Sequence, residues 1–342
     1  MLFHMTRRAT ITDVALAAGV SVSTVSKVIN GRYGIAVATS LRVQEVVKEL
    51  AYEPSLVARS MRSHRTNVIG ILVAEFEPFS AEILKGTAAA LADTDYELLA
   101  YTGSRQSRGA GWERRSLSRL SGTLIDGALL VTPSVVTADP GVPLVSIDPH
   151  AGPAGLPTVD SDNVIGAMLA TRHLLELGHR RIGFMAGRPD LESSRLREEG
   201  YRQALAEAGI EVDPELIRVA DYRRDTVRAP VTALLSHPDR PTAIFAANDL
   251  SAMGTMDVAR ELGLDVPGDL SVVGFDDIPE SIRTTPPLTT VHQPIQAMGA
   301  AGITMLIALM NDSPVAQTHV RLPNSLVVRG TTAAPRPPAS RR

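Results

Sequence analysis

Residues 9–31 run Ala-Thr-Ile-Thr-Asp-Val-Ala-Leu-Ala-Ala-Gly-Val-Ser-Val-Ser-Thr-Val-Ser-Lys-Val-Ile-Asn-Gly, and that spacing admits little besides two short helices joined by a tight turn. Thr10 has the short oxygen side chain of an N-cap, Asp13 falls on the third helical position, and Ile11, Val14, Ala15 and Ala18 recur at helical spacing. Gly19 stands where a helix ends in a left-handed residue, and Ser21, with Thr24 three positions on, opens a second helix. Val25 and Val28 of that helix can pack back on the first, and the small Ala15 and Ala18 allow the close crossing of a helix-turn-helix. Its polar groups, Ser23, Thr24, Lys27 and Asn30, then face outward, where they can meet base edges and phosphates in a major groove. A plain helical hairpin with a solvated face would show the same spacing.

Charge is a weak signal by itself and gains force only beside this motif. Residues 1–65 carry a formal charge of +5 and the remainder −8, although the whole chain is only −3. A basic head on an acidic body suits a protein that docks one end on a polyanion, because Lys and Arg replace condensed counterions at phosphates. The 342 residues are 44% hydrophobic, enough for a small domain and one or two of ordinary size. No apolar run approaches a membrane span, and the N-terminal charges precede no apolar block, so a cytoplasmic location is expected. With no cysteine, disulfide and thiol chemistry are excluded. Met5-Thr6-Arg7-Arg8 would make a natural start as well as Met1.

From Val68 onward, apolar runs alternate with helical stretches. Val68 to Val73, Glu97 to Tyr101, Asp126 to Val131 and Leu144 to Ile147 have the composition of buried parallel strands, with helices near Ala81 to Ala92 and Glu113 to Leu120. A second set follows, with strands at Ile182 to Ala186, Ile217 to Ala220, Ala243 to Ala246 and Ser271 to Phe275, and helices at Val164 to Leu177, Leu196 to Ala208, Thr226 to Leu235 and Leu250 to Leu262. Two successive βα series predict an α/β body of two doubly wound parallel sheets behind an all-α head, with ligands at the carboxyl ends of the strands. The chain is expected to cross between lobes near His292 to Pro294 and to return near Leu326, giving two lobes and one cleft. The tail, 331–342, is rich in Pro, Ala and Arg and is expected to be disordered.

The same residues carry a resemblance. Ala-Thr-Ile-Thr-Asp-Val-Ala, Gly19-Val20-Ser21, Thr24-Val25-Ser26 and Asn30-Gly31 resemble the DNA-binding domain of the LacI/GalR family of bacterial transcriptional regulators. The likeness continues through Arg42 to Tyr52, Thr66-Asn67-Val68-Ile69-Gly70, Leu177-Gly178-His179-Arg180-Arg181-Ile182, Arg197 with Gly200-Tyr201, Ala247-Asn248-Asp249, Val273-Gly274-Phe275-Asp276-Asp277 and Thr289-Thr290-Val291-His292-Gln293-Pro294. It implies a DNA-binding head over 8–53, a hinge helix over 54–66 and a periplasmic-binding-protein-like effector domain over 67–330, with an N-lobe of about 67–162 and 294–323 and a C-lobe of about 163–291 and 324–330. The candidate DNA contacts are Thr10, Ser21, Val22, Ser23, Thr24, Lys27, Asn30 and Tyr33. Ser55 to Arg62 is too short to hold a helix alone in water. In the family such a segment pairs with its twin in the minor groove, which would place Met61 as the wedge between base steps and Val57 and Ala58 against the twin. A flexible linker is the plain alternative for that stretch. Lacking a leucine heptad in the tail, the chain is expected to be a homodimer on double-stranded operator DNA.

A sugar site needs carboxylates and amides to accept from hydroxyls, a guanidinium to donate to them, and an aromatic face. Asp148, Asn248 and Asp276 each follow an expected strand and so point toward the cleft, and the resemblance puts Arg197, Asn248 and Asp276 on effector-binding positions and Phe79 and Tyr222 on stacking positions. Phe76 is a further aromatic candidate. Plain structural roles compete: Asp249, Asp276 and Asp277 as caps, Phe79 as core, His179 as a cap for terminal helix carbonyls, and Trp112 as a partly exposed helix residue. The chain has no Gly-rich phosphate loop after its first strand, no Gly-x-Ser-x-Gly elbow and no metal-ligand cluster, so neither an enzyme nor a cofactor or metal site is expected. A solute-binding protein would need a signal peptide and would have no use for residues 9–65. The expected function is a repressor of carbohydrate utilisation controlled by a small sugar, with a purine or nucleoside effector as the alternative. Three departures from the family bear on the operator: Lys27 replaces the usual arginine fork with a point charge, Ala36 replaces the usual serine cap of the third helix, and Met61 replaces the commoner leucine.

Overall fold

The computed structural model describes residues 9–53, 65–103, 111–134, 141–152 and 155–336, which form two compact units divided near Thr66. The candidates Val57, Ala58 and Met61, and most of the expected hinge, lie outside the described residues.

The head is three helices, α1 (Ile11–Ala18), α2 (Val22–Ile29) and α3 (Val37–Glu49). A reciprocal capping box starts α1: Asp13 donates its backbone N–H to Thr10 Oγ1 at 3.3 Å, and the Thr10 backbone N–H donates to Asp13 Oδ2 at 2.8 Å. Gly19 ends that helix at φ 63°, a conformation a Cβ would oppose, and the turn to α2 follows at once. Val14, Val25 and Val43, one from each helix, are fully buried against one another's cluster together with Ala15, Ala18 and Val28. Helix α3 begins at Ala36 with no side-chain cap, as the sequence indicates.

The body contains two six-stranded sheets. The N-lobe has β1 (Val68–Val73), α4 (Pro78–Leu91), β2 (Glu97–Thr102), α5 (Trp112–Leu120), β3 (Gly127–Val131), β4 (Leu144–Ile147) and β5 (Thr158–Ser161). The C-lobe has α6 (Asn163–Glu176), β6 (Ile182–Ala186), α7 (Glu192–Glu207), β7 (Ile217–Val219), α8 (Arg228–Leu235), β8 (Ala243–Ala246), α9 (Asp249–Glu261), β9 (Ser271–Asp276) and β10 (Thr289–His292). The chain then returns to the N-lobe for α10 (Ile295–Met310) and β11 (His319–Leu322), and ends in the C-lobe with β12 (Ser325–Val327). Strand order is β11-β5-β4-β3-β1-β2 in one sheet and β12-β10-β9-β8-β6-β7 in the other, all parallel except the β12–β10 pair. The apolar runs named above form the sheet interiors. The outer strands β5, β10, β11 and β12 were not separately legible, because three or four residues of mixed polarity carry no clear period.

Three expectations need correction. The tail is not disordered from 331: Thr331 is fully buried, donating to Val272 O at 2.6 Å and accepting from Thr289 N at 2.9 Å, and the chain is held at least to Arg336, which pairs with Asp269 and Asp265. His179 is not a ring cap. The carbonyl of Leu175 is met by Arg180 Nη1 at 3.0 Å, and that of Leu174 by the backbone N–H of His179 at 3.1 Å. The buried His179 ring instead lies with Nε2 2.9 Å from Ala333 O and Nδ1 2.8 Å from Thr242 Oγ1, pinning the terminal segment to the sheet. Trp112 is buried, not partly exposed, since α5 turns residues 112, 116, 117 and 120 inward on one helical face.

Two predictions follow from these contacts. His179→Ala leaves Thr242, Ser271 and Ala333 without their ring partner, and urea unfolding should show a loss on the order of 3 kcal/mol. Burial holds the His179 ring below the ordinary imidazole pKa. The unfolded chain therefore binds the extra proton first, so stability contributed here is full above about pH 6.5 and declines as pH falls below it. Hydrogen-exchange protection of residues 331–333, corrected for intrinsic rates, should fall in step. In the head, Ala36→Ser supplies the missing acceptor and should slow exchange in the first turn of α3 by about 1 kcal/mol.

Candidate functional site

The head presents one polar face. Ser21, Val22, Ser23, Lys27 and Asn30 of the α2 region are exposed, Thr24 is half-buried, and Tyr33 is entirely exposed. Ser21 caps α2 by accepting from Thr24 N at 3.1 Å, and its hydroxyl also lies 2.7 Å from Ser23 Oγ and 2.9 Å from Thr24 Oγ1. Asn30 folds back, donating Nδ2 to Ser26 O at 2.6 Å, and the Thr10 hydroxyl donates to Asp13 Oδ2 at 2.7 Å. Thr10, Ser21 and Asn30 thus shape the motif as much as they decorate it. Among the described residues, Lys27 and Tyr33 are the polar candidates for which no side-chain hydrogen bond is seen, whereas Ser23 is tied to Ser21.

In the body, a cleft of about 330 Å³ opens at the carboxyl ends of the strands of both sheets. Phe79, Asp148, Arg197, Tyr222, Asn248 and Asp276 all line it. Phe76 is exposed and is not among the lining residues. Phe79 both lines the cleft and packs against the lobe's apolar core, so its two readings coexist. Asp148, Tyr222 and Asp276 have φ of 48°, 61° and 116°, conformations that cost on the order of 1–3 kcal/mol each and persist only when their surroundings fix them.

Arg197 is the centre of the site. It lies on α7, is 3% exposed, and its guanidinium sits 3.8 Å from the centroid of the Phe275 ring and 5.6 Å from that of Tyr222. Nε donates to Asn163 Oδ1 at 2.8 Å, and Nη1 donates to Ala247 O at 2.5 Å and Asp276 Oδ1 at 3.3 Å. Asp276 Oδ1 also accepts from Gln293 Nε2 at 2.7 Å, and Gln293 Oε1 accepts from Ser161 Oγ at 2.5 Å. Among the described residues no hydrogen bond is seen to use Arg197 Nη2 or Asp276 Oδ2, so the paired side chains keep one donor and one acceptor. That pairing matches two neighbouring hydroxyls.

Asn248 does double service. Its Oδ1 caps α9 by accepting from Ser251 N at 2.9 Å, and its Nδ2 donates to Tyr222 O at 2.9 Å, which leaves one amide hydrogen for a ligand. Tyr222 rests against Gly187, where a Cβ would fall 2.3 Å from the ring, so that glycine is required by close approach. Asp249 is not a cap, since it accepts from Ile278 N at 2.9 Å and Thr290 Oγ1 at 2.5 Å; Asp277 pairs with Arg329 at 2.6 Å and also accepts from Ser281 Oγ of the following turn at 3.1 Å. Phe275, Asn163, Gln293 and Gly187 were missed by sequence reasoning. Phe275 lies inside a quoted motif, but nothing in the one-dimensional pattern says that its ring would carry the Arg197 guanidinium.

Burial dominates the electrostatics. It raises the Asp276 carboxyl to about 7 against the opposing pull of Arg197 and Gln293, and it raises Asp148 as well. His150, at the cleft wall, is pushed down to about 4 by burial and by Arg188, so its ring is neutral near pH 7. Among the described residues no group of His, Cys, Asp and Glu is arranged to hold a metal ion, and no single helix is long and apolar enough to cross a membrane.

Comparison with known proteins agrees with both halves. Residues 10–55 match the family described as "Bacterial regulatory proteins, lacI family", and residues 171–332 match the "Periplasmic binding protein-like domain". The ribose operon repressor of Escherichia coli strain K12 is 36% identical over 334 residues, covering 94% of this chain and 99% of that protein. The crystal structure of the lac repressor dimer bound to operator and the anti-inducer ONPF matches with a TM-score of 0.82 at 27% identity, covering 96% of this chain and all of that one. The complex of the transcriptional regulator CelR with cellobiose matches at 0.71 and 34% identity, over 95% of this chain and all of that one.

A ligand hydroxyl that donates to Asp276 favours its ionised form, so binding should release a proton. Because the free carboxyl titrates near 7, affinity should rise between about pH 6 and 8, and titration calorimetry in buffers of different ionisation enthalpy should detect the proton. Asp276→Asn should flatten the profile.

Proposed function

The chain belongs to the lacI family of bacterial regulatory proteins, and on that premise we propose that it represses a carbohydrate-utilisation operon under the control of a small polyhydroxylated effector held in the cleft. It acts as a cytoplasmic, non-enzymatic homodimer that binds a pseudo-palindromic operator with its two α2 helices in successive major grooves. Lys27, Ser23 and Tyr33 are the side chains offered to the DNA, and Thr10, Ser21, Val22, Thr24 and Asn30 complete the surface. Val57, Ala58 and Met61 act at the hinge in the minor groove.

The observation that carries the effector reading is the unspent donor and acceptor of the Arg197–Asp276 pair beside Tyr222. Asp148, across the cleft, supplies a further acceptor, and Asn248 a donor. The relatives support the class: one is named for the ribose operon and another is complexed with cellobiose. A purine or nucleoside is the second reading, supported by the two aromatic rings, Phe79 and Tyr222, that line the cleft. Effector binding closes the lobes about the crossing strands and changes the hinge spacing, so effector and operator affinities are coupled reciprocally.

A mobility-shift assay with DNA from upstream of the chain's own gene, at fixed salt, tests the operator claim. A thermal-shift screen of sugars and nucleosides identifies the effector, which raises the melting temperature by mass action. Arg197→Ala should then retain the operator shift while losing the response to that compound. A retained response would remove Arg197 from the site.

A further inference from the structure

We infer that the cleft selects an uncharged effector and rejects the phosphate ester of the same compound. This rests on the cleft being the effector site. Its described lining carries the carboxyl groups of Glu75, Glu77, Asp148, Asp221 and Asp276, of which burial shifts Glu77, Asp148 and Asp276 toward their protonated forms. The cations opposing them are the guanidinium groups of Arg188, Arg197 and Arg223. His150 is neutral and adds none.

Each guanidinium already has an anionic partner. Arg188 grips Asp190 with both arms of its fork, Nε to Oδ1 at 3.0 Å and Nη2 to Oδ2 at 2.5 Å. Arg223 donates Nε to Asp225 at 3.2 Å and lies 3.7 Å from Glu75 across the cleft mouth. Arg197 spends Nε and Nη1 on Asn163, Ala247 O and Asp276 and keeps only Nη2 for a ligand. A phosphate monoester would bring a charge of about −1.5 to −2 at neutral pH into this setting. Displacing a carboxylate from a guanidinium does not remove it; the displaced group stays beside the incoming phosphate and repels it. Uncharged hydroxyls meet no such opposition, since carboxylates accept from them directly.

Binding to the full-length protein would be measured by calorimetry for matched pairs, each a free pentose, hexose, disaccharide or nucleoside with its phosphate ester. At least one uncharged compound should bind, and its ester should bind about a hundredfold more weakly or not at all. An ester that binds as tightly as its parent, or more tightly, overturns the charge selection and leaves the effector reading standing. No binding by any member of the panel overturns the effector reading and this inference with it. Asp190→Ala frees the Arg188 fork at the cleft wall without touching the Arg197 network, and it should strengthen ester binding by about tenfold. An unchanged ester affinity in that variant would show that internal pairing of Arg188 does not exclude phosphate.

Discussion

A guanidinium taken out of water near the middle of a lobe must be met on several sides at once, and the Arg197 site is built around that requirement. Its partners come from the start of α6, the segment after β8 and the end of β9, and the Phe275 ring lies beneath it. Losing any one of them would leave a buried charge incompletely satisfied, which is far costlier than a missing surface contact. The strained backbone at Asp276 is held by the same set, because its carboxylate is fixed from two directions by Arg197 and Gln293. Once these demands are met, one donor and one acceptor remain for a visitor.

The position of Gln293 gives that pair mechanical significance. Gln293 follows β10, where the chain passes back to the N-lobe, and Ser161 ends β5, where the chain first leaves it. The line Arg197–Asp276–Gln293–Ser161 therefore connects the cleft-lining pair to two of the places where the chain passes between the lobes. Coupling of this sort needs two arrangements of the lobes that bind the ligand with different strength.

The terminal segment contributes stability in a different way. Residues 331–336 lack the composition of a strand, yet Thr331 and Ala333 exchange hydrogen bonds with β9 and its neighbours, and His179 and His173 close over them. Burial shifts both histidines downward, which favours the neutral ring as the hydrogen-bonding form in this arrangement. A composition that suggests a free tail is overridden because the amino ends of β9 and β10, both interior strands of the C-lobe sheet, offer it polar partners.

Local order was legible in the sequence wherever a short-range rule sufficed. The Thr10–Asp13 box, Gly19, Ser21 and the missing cap at Ala36 follow from the preferences of helix ends, and the buried strands follow from continuous apolar runs. Strand ends also forecast that Asp148, Asn248 and Asp276 would meet in one cleft, because parallel sheets present their carboxyl ends together. What the sequence could not supply was the use made of each group. Whether His179 turns outward to helix carbonyls or inward to Ala333, whether Trp112 is covered, and which ring carries Arg197 depend on contacts between residues tens of positions apart. Helix and strand propensities are local and were therefore written in the chain, whereas desolvation and charge pairing arise only when distant segments close around the same few atoms.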